Sequence, residues 1–392
     1  MRKEIQERIL AIMEAAVRDE ITAGVSLLVR RNGEELFYGA CGYADRENRV
    51  PVRRNTIFRL YSMTKPVTAV ASMILMERGI LDPAQPVADF LPGFRNLKVE
   101  TEKGIVPVSR EMTVFHLLNM TSGLTYGSEM TASDRSVLGH IADCMERMYG
   151  QDPVSTMEFA NGLGRIPLAF SPDSSWCYGL SADVLGAVVE QASGMRFGEF
   201  LEKNIFEPLG MKDTGFWVPP EKQERLAKSY EAVEDGMIPY TGDYLAVSNA
   251  MKEPPAYEAG GAGLVSTIDD YGKFAQMLLN GGILDGKRIL SEETVKYMTT
   301  GRLTADQQKA LRDWSSLEGF TYSHLLRIMN HPEQAAGLAR MGEYGWDGWL
   351  GCYFANFPQE QMSILLMQQK KDAGTISMTR KIRNVILSSG EV

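Results

Sequence analysis

The 392-residue chain has only four cysteines, Cys41, Cys144, Cys177 and Cys352, and no Cys-x-x-Cys pair. That argues against a disulfide framework and a thiolate metal centre, and fits reduced thiols in a cytoplasmic protein. Histidine is equally scarce. His116, His140, His324 and His331 are scattered, and no His-Glu-x-x-His occurs, so no metal and no cofactor are expected. Positive charge is not in excess: 41 Lys and Arg stand against 50 Asp and Glu, a net −9, which speaks against a nucleic-acid partner. Long apolar runs are missing; the longest, Ala69 to Met76, is broken by Ser72 and falls far short of a membrane span. The start, Met1-Arg2-Lys3-Glu4-Ile5, lacks the apolar core and small-residue site of a secretory signal. No tandem repeat, low-complexity tract or Gly-x-Ser-x-Gly elbow is present, and the last absence disfavours an α/β-hydrolase.

What remains is an ordinary globular composition, 44% apolar and 23% charged, long enough for two lobes. An amphipathic helix (Ile5, Ile9, Ile12, Met13, Ala16) precedes two β-rich runs, Gly24 to Arg31 and Glu34 to Tyr43, joined by the hairpin signal Asn32-Gly33. The far end mirrors this. Trp349 to Phe357 and Gln361 to Gln369 read as strands, and Thr375 to Leu387 as a closing helix. The expected fold is α+β: one antiparallel sheet built from both termini and flanked by helices, with a mainly helical lobe inserted. Residues 1–84 and 255–392 would form the sheet lobe and 85–254 the helical lobe, with a binding cleft between them. The terminal helices would cover one sheet face and a central helix after Ser62 the other. Residues 302–341 are the hardest to read; a helical patch is expected from Tyr322 to Met329.

That central helix carries the chemistry. Apolar residues recur at Val67, Val70, Ala71, Ile74 and Leu75, and Gly79 stops the helix. Pro66 is tolerated only near a helix start, so the helix begins close to Ser62. Ser62 and Lys65 then share one face, a turn apart. A serine hydroxyl needs a base within reach, and a buried lysine whose pKa falls towards neutrality can serve. The unpaired N–H groups of the helix start favour an oxyanion beside Ser62. The bland alternative is a capping serine and a solvated lysine. Tyr178, on a turn-rich loop, and Gly345-Trp346-Asp347-Gly348-Trp349, leading into a strand, could complete a site. Gly281-Gly282-Ile283-Leu284-Asp285-Gly286-Lys287 has P-loop spacing, but Arg288 stands where a magnesium-binding hydroxyl is needed, and it reads as a turn.

Taken together, these stretches resemble the penicillin-recognising serine hydrolases. Phe58-Arg59-Leu60-Tyr61-Ser62-Met63-Thr64-Lys65, Leu117-Leu118-Asn119-Met120-Thr121-Ser122-Gly123-Leu124, Asp183-Val184-Leu185-Gly186, Phe206-Glu207-Pro208-Leu209-Gly210-Met211 and Gly260-Gly261-Ala262-Gly263-Leu264 narrow the likeness to the class C β-lactamase-like branch. Two departures are informative. Tyr178-Gly179-Leu180 replaces the family's Tyr-x-Asn, and Trp346-Asp347-Gly348 replaces its Lys-Thr-Gly. Both are similar to the family VIII carboxylesterases. The resemblance implies a serine hydrolase forming an acyl-enzyme on Ser62, with Lys65 and Tyr178 sharing the proton. Either neutral Lys65 is the base, or ammonium Lys65 holds Tyr178 as a phenolate base. The backbone N–H groups of Ser62 and Trp349 would form the oxyanion hole, with Trp346 and Gly348 beside the substrate. The implied substrate is a small short-chain ester. A β-lactam or a D,D-peptide is the alternative, and a non-catalytic binding protein on the same scaffold is a third reading. Oligomeric state is not legible.

Overall fold

The computed structural model describes residues 1–314 and 317–390. Its centre is an eight-stranded antiparallel sheet. In spatial order the strands are Phe320–Ser323, Leu326–Met329, Tyr344–Asp347, Tyr353–Phe357, Met362–Gln368, Gly24–Arg31, Glu34–Asp45 and Val50–Pro51. The two ends of the chain therefore meet mid-sheet, where Val25 lies opposite Gln368 and Arg31 opposite Met362. Asn32 and Gly33 both have positive φ, 51° and 79°, as a two-residue hairpin turn requires.

Alternation along the strands sorts the core into two layers. Val25, Leu27, Val29, Ile364 and Leu366 face the terminal helices Lys3–Arg18 and Ser377–Leu387, which contribute Ile5, Ile9, Met13, Ile382 and Ile386. Leu28, Phe354, Leu365 and Met367 face the larger core on the opposite side. Ile268–Leu279 lies on that face, tied to the sheet where Asn356 donates to the Ala275 carbonyl at 2.8 Å. This corrects one expectation. The helix following Ser62, Thr64–Glu77, does not itself cover the sheet; it packs on Ser181–Ser193, and both are buried along most of their lengths. A helix apolar on every side can sit between other helices as readily as on a sheet, so periodicity does not choose between the two.

A second expectation fails outright. Residues 322–329 are not helical: Phe320–Ser323 and Leu326–Met329 form a hairpin. Its turn residues, His324 and Leu325, have φ of 47° and 61°. That backbone normally calls for Asn-Gly. Here the Leu325 N–H is anchored on the Leu118 carbonyl at 2.8 Å, so a tertiary bond holds what the turn residues do not signal. The stretch with P-loop spacing is a turn, as expected: a small hairpin of Ile283–Leu284 with Lys287–Arg288, turning at Asp285 and Gly286. Among the described residues no helix is long and apolar enough to cross a membrane.

Candidate active site

The strand Phe58–Arg59, paired with Val265–Ser266, ends in a sharp reversal. Tyr61 takes a left-handed φ of 46°, a conformation costing on the order of 1 kcal/mol for a side chain of this size. Burial of its ring, 1% exposed and edge-on to Trp349 at 4.9 Å, holds it there. A short 3₁₀ turn, Tyr61–Met63, then runs into Thr64–Glu77, leaving Ser62 half-buried at the mouth of the helix.

Lys65 is fully buried one turn further on. Its Nζ lies 3.0 Å from Ser62 Oγ, 2.9 Å from the Tyr126 hydroxyl and 2.7 Å from the Gly261 carbonyl. Burial lowers its pKa to about 7, and the carboxylates of Asp183 and Asp347 only partly oppose that. Asp183 is itself buried. It accepts from the Tyr257 hydroxyl at 2.6 Å and from the Gly261 N–H at 3.1 Å. One peptide unit on each side of Gly261 thus links a carboxylate to the amine. The glycines permit this approach: a Cβ on Gly260 or Gly261 would come closer than 3.0 Å to the Ala182 carbonyl or the Asp183 carboxylate.

Tyr178 reaches the same point from the other side. Its hydroxyl accepts from Trp346 Nε1 at 3.0 Å and is hydrogen-bonded to Ser62. Burial pushes its pKa well up, with those two bonds in opposition. Gly179 follows because a side chain there would strike the Leu124 carbonyl. Trp346 is buried on the strand Tyr344–Asp347. Gly348, just past that strand, lies so close to the Leu60 carbonyl that a Cβ could not be accommodated. The Trp349 N–H has no acceptor among the described residues, while its indole stacks on Tyr244 at 4.2 Å and donates to Asp372 at 2.6 Å.

The structure therefore brings Ser62, Lys65, Tyr178 and Trp346 into one hydrogen-bonded group, with Gly348 and Trp349 on the wall of the same cavity, about 840 Å³ in volume. Aromatic rings dominate that wall; among the described residues its charged members are Asp134, Asp313, Asp347 and Asp372, and no lysine or arginine lines it. The histidines lie elsewhere: His116 closes a capping box with Thr113, His140 meets the Phe159 carbonyl, and none lines the cavity. Sequence reasoning missed Tyr126, Asp183 and Gly261. The Gly260-Gly261 stretch was a visible signal, but a carbonyl acceptor has no letter of its own, and Tyr126 sits in a loop without a motif.

This is the architecture of a β-lactamase-type serine hydrolase fold, and the comparisons agree. A family model described as Beta-lactamase matches residues 10–385, and the chain belongs to that family. Esterase EstB from Burkholderia gladioli is 35% identical over 280 residues, 67% of this chain and 67% of EstB. A putative D-alanyl-D-alanine carboxypeptidase from Escherichia coli strain K12 is 26% identical over 383 residues, 91% of this chain and 81% of that protein. The solved structure of EstCE1, a hydrolase with promiscuous acyltransferase activity, superposes with a TM-score of 0.83 at 24% identity. The match covers 98% of this chain and 99% of that one, and shows a common fold.

Proposed function

We propose that this protein is a serine carboxylesterase that cleaves uncharged short-chain esters through an acyl-enzyme on Ser62. The observation that carries the proposal is the Ser62 hydroxyl 3.0 Å from a buried amine whose pKa is about 7. Such an amine is largely neutral at physiological pH and can take a proton. Burial favours it over a Tyr178 phenolate, outweighing the hydrogen bonds from Trp346 and Ser62 that would steady the anion. Trp346 Nε1 can only donate, so Tyr178 oxygen accepts from it, and the phenol proton is free to point at Ser62. Burial keeps that phenol protonated.

In this reading Ser62 Oγ attacks the ester carbonyl carbon as its proton passes to Lys65. The carbonyl oxygen becomes an anion held by the N–H groups of Ser62 and Trp349. The C–O bond to the alcohol then breaks. The departing oxygen takes the Tyr178 proton, which the Lys65 ammonium replaces through the same cluster. Water repeats the sequence on the acyl-enzyme and regenerates Ser62. EstB is named an esterase, which supports an ester substrate. The carboxypeptidase likeness supports a peptide. A cavity wall carrying, among the described residues, four carboxylates and no lysine or arginine disfavours the carboxylate of a peptide end or a β-lactam.

A fluorophosphonate probe is expected to label Ser62, and p-nitrophenyl butyrate to be turned over much faster than nitrocefin or a D-Ala-D-Ala peptide. Labelling of another residue, or faster turnover of the anionic substrates, would overturn the assignment. The pH profile is a separate check. The base must be neutral, so kcat/KM should rise through an acidic limb near pH 7, falling about tenfold per pH unit below it. A flat profile from about pH 5 to 9 would remove Lys65 from the role. Gly348→Ala tests the oxyanion wall. Its methyl would push against the Leu60 carbonyl beside Ser62. Esterase kcat should fall by about 10- to 100-fold, and the urea midpoint should drop by the equivalent of about 1–3 kcal/mol.

A further inference from the structure

We propose that Tyr126 is a positioning residue of this site: by accepting one N–H of Lys65 it turns the amine's lone pair onto Ser62. The inference rests on the reading of neutral Lys65 as the base. It comes from the directions available around one nitrogen. Among the described residues Lys65 Nζ bonds three oxygens: Ser62 Oγ, the Tyr126 hydroxyl and the Gly261 carbonyl. A neutral lysine amine has two N–H bonds and one lone pair. The Gly261 carbonyl can only accept, so it takes one N–H. Proton removal from Ser62 requires the lone pair to point at Oγ. The second N–H then falls on the Tyr126 oxygen. Without that oxygen the amine can rotate its lone pair into the gap and present an N–H to Ser62, which is the unreactive arrangement. After proton transfer the same three oxygens satisfy all three N–H groups of the ammonium, in a place where the lysine itself has no exposure to water.

The fold holds this phenol in place from both sides. The hydroxyls of Thr125 and Ser128 donate to the two oxygens of Asp134, at 2.7 and 2.8 Å, and the Gly127 N–H donates to Thr125 Oγ1 at 3.0 Å. Gly127 has φ of 78°, and a Cβ there would strike the Asp134 carbonyl. On the other side, the bare Gly179 lets the Leu124–Thr125 backbone close against the loop bearing Tyr178. The two phenol rings meet edge-on at 5.6 Å. Gly179, which occupies a position within the departure from the family's Tyr-x-Asn, is thus the residue that admits the Tyr126 loop. Burial keeps the Tyr126 phenol protonated and neutral, an acceptor rather than a counter-charge.

Tyr126→Phe removes one oxygen and keeps the ring. In the full chain, with p-nitrophenyl butyrate, kcat is expected to fall by about 10- to 100-fold at unchanged KM. Fluorophosphonate labelling of Ser62 should slow in parallel. The acidic limb should also move to lower pH, by about one unit, because the ammonium loses an acceptor that favoured its charged form. The melting temperature reports whether the fold has changed. An unmoved limb with wild-type kcat would reduce Tyr126 to packing and overturn the proposal, as would a raised KM at unchanged kcat, which marks a substrate contact. The wild-type enzyme tests the underlying reading separately: if its Ser62 is not labelled, the base assignment falls, whatever Tyr126→Phe does.

Discussion

Alanine at position 62 is expected to lower ester turnover by a factor on the order of 10⁴–10⁶ and to abolish covalent labelling. The size of the effect follows from the site's arrangement. Lys65 and Tyr178 both converge on Ser62 Oγ, so removing that oxygen leaves a base with nothing to deprotonate and a phenol with nothing to steer. What survives is the rate that oxyanion donors and bound water supply. Ser62 is half-buried at the cavity mouth and loses a single atom, so folding stability should stay within about 0.5 kcal/mol of wild type. The measurement is steady-state p-nitrophenyl acetate hydrolysis beside a thermal melt. Turnover retained in a folded Ser62→Ala protein would put the chemistry elsewhere on the molecule.

Lys65→Met should be as inactive, yet no less stable. Methionine matches the length of the aliphatic stem and lacks the amine. The amine is costly to the fold. Its pKa is about 7 in the folded chain against 10.5 for a free lysine, so between those values the unfolded chain binds a proton that the folded one does not. Stability therefore rises as pH climbs through that window and is lowest below it. The difference is on the order of 5 kcal/mol. Methionine removes this burden but leaves the Gly261 carbonyl without its donor, a loss of about 1–3 kcal/mol. The net expectation at neutral pH is a gain of about 2–4 kcal/mol in urea unfolding, together with loss of the stability increase from about pH 7 to 10 expected of the wild type. A variant less stable than wild type at pH 7 would contradict it.

The parts of this molecule readable from sequence are those whose cause is local. Pro66 sets a helix start, Gly79 a helix stop and Asn32-Gly33 a turn, and each acts within a few residues. Ser62 and Lys65 are legible together because one helical turn separates them. Tyr178 and Trp346 are legible only through the family likeness, since nothing near either residue announces the 3.0 Å bond between them. Tyr126 and Asp183 act through backbone approaches that two distant glycines permit, so no window of sequence contains the relationship. The 320–329 hairpin escaped notice for a related reason: the bond stabilising its turn comes from Leu118. Thr267 caps the helix Ile268–Leu279 at its first turn, but which surface the helix covers depends on where the other helices go.

The pairing of Gly24–Arg31 with Met362–Gln368 has a consequence for the newborn chain. On the ribosome the first hairpin emerges early, yet its inner edge has no neighbour until more than three hundred further residues have been translated. Through that interval the backbone N–H and C=O groups along that edge of Gly24–Arg31 stay unpaired, the kind of surface that chaperones capture and aggregates recruit. The loop to be closed runs to more than three hundred residues, which makes the central pairing a slow, late event in folding. The turn carrying Ser62 and the strand carrying Trp346 lie on opposite sides of that closure, so the reactive centre is assembled only once the last strand has docked.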